Sequence, residues 1–457
     1  MRGKKGFCLS QVIFVMFLVS GPAGRAEAQT AWLADRSRAE GPGIRVGDFE
    51  LHPGVGVEIG WDSNLYFTED NPDPARRLAP KIDTAILRVT PHFLFSTLGP
   101  QRREEGEGRD TPESKPTATF RGGLAAAYYE FFADPNRRNL ELNGSLRLVL
   151  FPDRPFSFSI WDNFIRGVRP FTENFNPQAS HARISNQAGL DLFFQTDGGM
   201  FQVRTAYAFG LDYFEGSIFQ YANSFNHDIT LQETFRFLPQ SAIVHDTVVS
   251  IRDYYSEQRG PSLVQDNVRV RSRLGFNGAL SETISAALFF GYGAGFFPQT
   301  TVGEVPYDQD YDSIVAQAEL QWRITETMNL RFGYDRDMFP SVLGNYYSRD
   351  RGYIAYQMLI SGVFLLSADF DISYVDFGAI RGGDPSRPFI DRRNGEREDV
   401  RVGAGLFGEL RFTDWFGINA TFRYTGQFTD YRFDAVDFVD PASFNKVELF
   451  LGARVFY

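Results

Sequence analysis

Charged side chains recur at every second position along several short stretches. Arg269, Arg271 and Arg273 do so, with Asn277 further along. Glu319, Gln321 and Arg323 form a second set, and Asn329, Arg331, Asp335 and Asp337 a third. Asp369, Asp371 and Ser373 follow, then Arg401, Glu409 and Arg411, and finally Arg423. A spacing of two puts each set on one face of an extended strand. Guanidinium groups placed this way can fork onto carboxylates or sugar hydroxyls. The chemistry they suggest is recognition: both signs can brace a wall against each other, or meet a polar solute. Acyl-transfer chemistry would need a serine beside a histidine. The histidines (His52, His92, His181, His227 and His245) are scattered, and no Gly-x-Ser-x-Gly elbow occurs. The expectation is a non-enzyme without cofactor. The single cysteine is Cys8, so no cysteine metal site is expected either.

The residues between these charges are apolar. Phe201, Val203, Tyr207, Phe209, Leu211 and Tyr213 oppose Gln202, Arg204, Ala206, Ala208, Gly210 and Asp212. The same two-fold alternation runs through 314–324 and 416–428. Period two means strands, since a helix would set charges beside aromatics on every face. Short turns are expected at Pro152, Asp197, Pro239, Glu282, Glu326, Ser367 and Asp414, roughly 41 to 47 residues apart. Longer polar loops alternate with them, as at Asp70 to Pro80, Pro170 to His181 and Arg381 to Asp399. The expected strands are 50–66, 82–97, 118–131, 140–151, 156–168, 184–195, 200–214, 225–238, 242–255, 266–280, 284–296, 312–324, 327–338, 352–365, 368–377, 399–412, 416–428 and 445–457. The fold class is therefore all-β, a transmembrane antiparallel up-and-down β-barrel of about 18 strands.

Alternation alone also fits a soluble sandwich that buries its apolar face. Strand length, short turns alternating with long loops, and aromatics at strand ends favour the membrane. Those aromatics are Trp61, Tyr66 and Phe67, with Tyr254 and Tyr255. Hydrocarbon offers no hydrogen bonds to an open sheet edge, so the sheet must close. A barrel of this size is wide enough for an aqueous channel. The charged sets would then line the pore.

The ends give an address. Arg2, Lys4 and Lys5 precede an apolar stretch from Leu9 to Val19 and the small-residue site Ala26-Glu27-Ala28. Residues 1–28 read as a secretory signal peptide. Residues 29–48 read as a short periplasmic segment and 49–457 as the barrel, in the cell outer membrane with its lipid as a partner. The net charge of −11 argues against nucleic acid. The last strand, Lys446 to Tyr457, ends in an aromatic. Ala453, Val455 and Tyr457 match the C-terminal signal that such barrels present to the barrel-assembly machinery, while Phe450 and Phe456 depart from its usual polar face. The mixed charge run Gly99 to Pro116 falls on the periplasmic side by strand parity. It is a candidate docking segment for a periplasmic export partner.

The opening strand, from Gly54-Val55-Gly56-Val57-Glu58-Ile59-Gly60-Trp61 to Asp62-Ser63-Asn64-Leu65-Tyr66, resembles that of an outer-membrane β-barrel porin family. There a glycine-rich strand leads into an Asp/Ser/Asn turn and an aromatic. Its members resemble barrels that export exopolysaccharide. The resemblance implies a porin-type channel for export of a polysaccharide; the charged faces alone would also serve a small polar solute. The alternative is a surface-binding or adhesion barrel with a plugged lumen.

Overall fold

β-branched and aromatic residues on one face, with polar or small residues on the other, hold the chain in long strands. In the computed structural model these are β1 (Phe49–Asp62), β2 (Thr84–Thr97), β3 (Ala118–Phe131), β4 (Asn139–Leu150), β5 (Phe156–Gly167) and β6 (Arg183–Gln195). They continue as β7 (Phe201–Phe214), β8 (Ser224–Leu238), β9 (Ser241–Tyr254), β10 (Asn267–Ala279), β11 (Ile284–Phe296) and β12 (Tyr311–Thr325). The last six are β13 (Met328–Ser341), β14 (Asn345–Ile360), β15 (Phe364–Phe377), β16 (Glu398–Thr413), β17 (Phe416–Phe428) and β18 (Phe444–Phe456). The structure describes residues 41–69, 81–97, 116–152, 154–168, 182–255, 264–298, 300–302, 305–307, 310–342, 345–378, 397–434 and 439–457. The signal peptide, most of the 99–116 run and the bulk of the three long loops named above lie outside these residues.

Each strand pairs antiparallel with the next, and β18 returns to β1 from Gly54↔Phe456 to Asp62↔Glu448. The result is a closed 18-stranded barrel. Closure gives every strand a neighbour on both sides, as a bilayer core demands. Both strand ends near the chain termini share one rim with the tight turns.

Six of the seven expected tight turns fall where alternation breaks. The seventh does not. The sequence reading put it at Ser367, but β14 runs to Ile360 and the chain reverses through Ser361, Gly362 and Val363. Ser361 and Gly362 both take positive φ, 51° and 72°. Two consecutive left-handed residues match the twist of a hairpin. The apolar run of Phe364, Leu365 and Leu366 hides this turn from a hydrophobicity count. β14 also starts earlier than expected, at Asn345 rather than 352.

The described part of the 29–48 segment folds back on the barrel. Ile44–Val46 forms a short strand on β1, with Ile44↔Leu51 and Val46↔Phe49.

One strand face carries a continuous exposed apolar surface. Ile59, Leu124, Ile160, Leu192, Leu274, Phe290, Ile314, Leu406 and Leu451 are all exposed there. Registers carry that parity from strand to strand around the whole ring. Such a surface on a closed sheet is the kind of belt that a transmembrane barrel turns toward lipid. The aromatic girdle is less complete than expected. Trp61 is exposed on the belt, but Tyr66 and Tyr254 are buried. Tyr254 belongs to the inward face of β9.

Candidate functional site: the charged lumen

The fourteen charged residues singled out above, Asp337 of β13 included, all lie on the face opposite the belt. Arg269, Arg271 and Arg273 point inward from β10, Glu319 and Arg323 from β12, and Arg331 and Asp335 from β13. Asp369 and Asp371 point inward from β15, Arg401, Glu409 and Arg411 from β16, and Arg423 from β17.

Ion pairs join several of them into two separate chains along the wall. Arg273 Nε lies 3.1 Å from Asp246 Oδ1 of β9. Arg271 lies 3.7 Å from the same carboxylate and 2.5 Å from Asp337 of β13. That second contact passes over two intervening strands. It is possible because β11 presents Gly291, Gly293 and Gly295 inward beside Arg273, Arg271 and Arg269. A Cβ at Gly291 would fall on the β10 backbone, and one at Gly295 on the Tyr311 ring. The glycine strip is a floor over which the arginines lie flat. Beyond it, Asp335 receives Arg349 at 2.7 Å and Arg351 at 3.3 Å, and Arg351 continues to Asp371 at 3.0 Å. Tyr353 donates to Glu319 Oε2 at 2.5 Å.

Other carboxylates are held in the same way. Asp191 is bound by Arg147 at 3.2 Å and Arg204 at 2.7 Å. Asp399 is buried between Arg397 and Arg401, 2.8 Å from each. Glu409 takes Arg411 and Arg454. Arg411 also lies over the Phe456 ring at 4.3 Å, and Arg88 over Phe450 at 4.7 Å. The two aromatics that depart from a polar last strand are therefore platforms for inward guanidiniums.

Arg269, Arg331 and Arg423 make no ion pair among the described residues. Arg423 lines a lumenal cavity of about 490 Å³ beside the β1–β18 seam, together with Glu58, Arg88, His92 and Asn419. Within it, Arg88 pairs with Glu58 at 2.5 Å, and Asn419 Nδ2 donates to Glu58 at 2.9 Å. Around Arg269 several buried polar atoms also lack partners: Ser224 Oγ, Asn226 Oδ1 and Asn267 Oδ1.

Sequence reasoning missed Arg349 and Arg351, because it began that strand too late. Alternation of Tyr347, Arg349, Arg351 and Tyr353 was the available signal. It also missed Asp246, the carboxylate that Arg271 and Arg273 share. A single aspartate in the run His245-Asp246-Thr247 announces nothing until register sets it opposite Arg273.

The mouth on the long-loop rim is partly roofed. The 3-10 turn Ser217–Ala222 buries Phe219 against Phe214. Tyr221 of this turn donates to the Val342 carbonyl in the β13–β14 loop at 3.0 Å. Six strands separate these two loops on the ring, so they meet only by leaning in over the lumen. Gln265, ahead of β10, donates its backbone N–H to Asn345 Oδ1 at 2.7 Å. Phe297, Tyr311 and Tyr346 stack beside this contact.

Val455 and Tyr457, two of the residues expected to carry an assembly signal, are exposed on the belt. Ala453 shares their parity and pairs with Val57 of β1.

No protein-family model matches this chain, and no curated protein matches it. Solved structures do. OccK2 of Pseudomonas aeruginosa is 8% identical over 89% of this chain and 98% of its own, with a TM-score of 0.43. OccAB3 of Acinetobacter baumannii is 10% identical over 90% of this chain and 100% of its own, with a TM-score of 0.42. The alcaligin outer-membrane receptor FauA of Bordetella pertussis is 11% identical over 88% of this chain and 76% of its own, with a TM-score of 0.40. Similarity at this level transfers no residue role and no solute.

Proposed function

We propose that this outer-membrane barrel is a channel whose charged lumen passes a polar, hydroxylated solute, and that its cargo is a polysaccharide moving outward. The observation that carries the channel reading is the separation of faces. Hydrocarbon-compatible residues cover the outside, while arginines, aspartates and amides line the inside over the length of β9 to β18. Such a wall is hydrated, and its fork donors suit sugar hydroxyls and acids. The polysaccharide reading rests on the resemblance carried by Gly54 to Tyr66. The C-terminal residues Ala453, Val455 and Tyr457 serve assembly in this reading, and the 99–116 run docks a periplasmic partner. Deleting that run and finding export unchanged would remove the docking role.

Planar-bilayer recording of the purified protein tests the proposal. Stepwise conductance that added dextran reduces is the expected result. A silent bilayer, unchanged by any solute, would favour the second reading, a plugged surface-binding barrel. The contact of Tyr221 with Val342 across the mouth is the observation on that side.

A further inference from the structure

Along the chain no serine lies within three positions of His245. Strand register changes that on the outer wall of the barrel. His245 of β9 lies directly opposite Glu233 of β8, and Thr247 directly opposite Ser272 of β10. All four share the parity of the exposed belt. His245 Nδ1 is 3.1 Å from Glu233 Oε2, and His245 Nε2 is 3.0 Å from Ser272 Oγ. Thr247 Oγ1 lies 2.9 Å from Ser272 Oγ. Carboxylate, imidazole and hydroxyl thus stand in hydrogen-bonded order, each contact within the reach that a nucleophile and its base require.

The setting is lipid. Leu231, Ile243, Leu274 and Phe290 are exposed on the same face around the cluster. The side chains of His245 and Glu233 are themselves 37% and 44% exposed, so the group is reachable from outside the barrel. His245 stands four positions along β9 from Ser241, which adjoins the tight turn. At roughly 3.3 Å per residue and a tilt of about 40°, that places it about 10 Å from the turn. The apolar band of such a barrel is about 25 Å tall, so the cluster lies in the half nearer the tight turns, on the inner-leaflet side. Ionisable groups on a lipid-facing surface are costly unless they bond one another, as these do.

We propose that Ser272, His245 and Glu233 form an esterase site on the lipid-facing wall, acting on acyl esters of inner-leaflet phospholipid. Ser272 Oγ attacks the ester carbonyl carbon while its proton passes to His245 Nε2. Thr247 is the hydroxyl placed to donate to the oxyanion. The intermediate collapses, the acyl C–O bond breaks, and the lysophospholipid alcohol leaves with the proton from Nε2. Water from the interface then adds to the acyl-serine, giving a proton to Nε2. The fatty acid departs, and Oγ recovers that proton. Glu233 touches no reacting atom; it is a positioning residue that holds the Nδ1–H tautomer and stabilises the imidazolium. The site is independent of whether the lumen conducts.

The test uses the full protein in detergent micelles and in phosphatidylethanolamine vesicles. A fluorophosphonate carrying an alkyl chain should label it covalently, and fatty acid should be released from the vesicles. Ser272→Ala should abolish both, and His245→Asn should slow labelling by about a hundredfold or more. Glu233→Gln should slow labelling and Glu233→Asp should recover part of the rate; a purely structural glutamate would leave the rate of the folded protein in place in both. These positions face lipid, so retention of the heat-resistant folded band on a gel separates lost chemistry from lost fold. Absence of labelling in the folded wild type overturns the proposal. So does labelling that persists in folded Ser272→Ala.

Discussion

The arginines of the lumen are not equivalent. Arg271 and Arg273 are tied to carboxylates on other strands, and removing either should chiefly loosen the wall. Arg269 is different. Its Nε is buried without a partner, Arg252 and Tyr311 are among the groups that bear on it, and its charge is left to the lumen. An unpaired guanidinium in a narrow aqueous passage raises the local concentration of anions. Arg269→Gln is therefore expected to lower the chloride-over-potassium permeability ratio, read as a shift of reversal potential in a salt gradient. Arg273→Gln also deletes a positive charge, but it leaves Asp246 bound by Arg271 and should shift the potential less. Equal shifts in the two variants would show that pairing does not decide which charges the solute meets.

Strand and loop decide how these residues are presented. From Gly291 to Gly295 the inward face of β11 has no side chains, and this lets Arg271 reach β13. Gly295→Val would put methyls where the Tyr311 ring lies. Overpacking of that kind costs about 1–3 kcal/mol, and here it would also disturb the tilted ring contact of Tyr311 with Tyr346, whose centroids are 4.3 Å apart. A lower denaturant midpoint in detergent, with the barrel still closed, is the expected readout. The two loops that meet over the mouth make a second element-level prediction. Cysteines at Tyr221 and Val342, joined by a short bismaleimide, should cut conductance sharply if passage requires the loops to part. Unchanged conductance would place the path beside this contact rather than through it.

At the scale of the whole molecule, the sheet has no edge and its two surfaces face different solvents. Each strand must obey this division along its membrane-crossing length. A single charge in mid-belt should be costly even though the residue it replaces makes no core. Leu406, near the middle of β16, is exposed to lipid. Leu406→Arg should destabilise folding into bilayers by about 2–4 kcal/mol, measured by equilibrium unfolding from vesicles. A loss below 1 kcal/mol would mean that this stretch of wall does not contact hydrocarbon. An arginine at Gly403 on the same strand, whose inward position faces the lumen, should cost less.

What the sequence determined by itself is the division of faces. Period-two alternation is a local property, so the strands, their inward charges and nearly all the tight turns could be read without coordinates. It failed where the local signal is ambiguous, as at Ser361 to Val363, where apolar residues run through a turn, and at Arg349 and Arg351, which lie before the apolar stretch that drew attention. Tertiary structure alone decided partnership. Which carboxylate meets which arginine depends on register between strands, and the bridge from Arg271 to Asp337 depends on glycines in a strand between them. The same holds for His245, whose neighbours Glu233 and Ser272 come from two other strands. Hydrogen-bond registry sets such contacts to within one residue, and a shift of one residue would turn every one of these side chains to the opposite solvent.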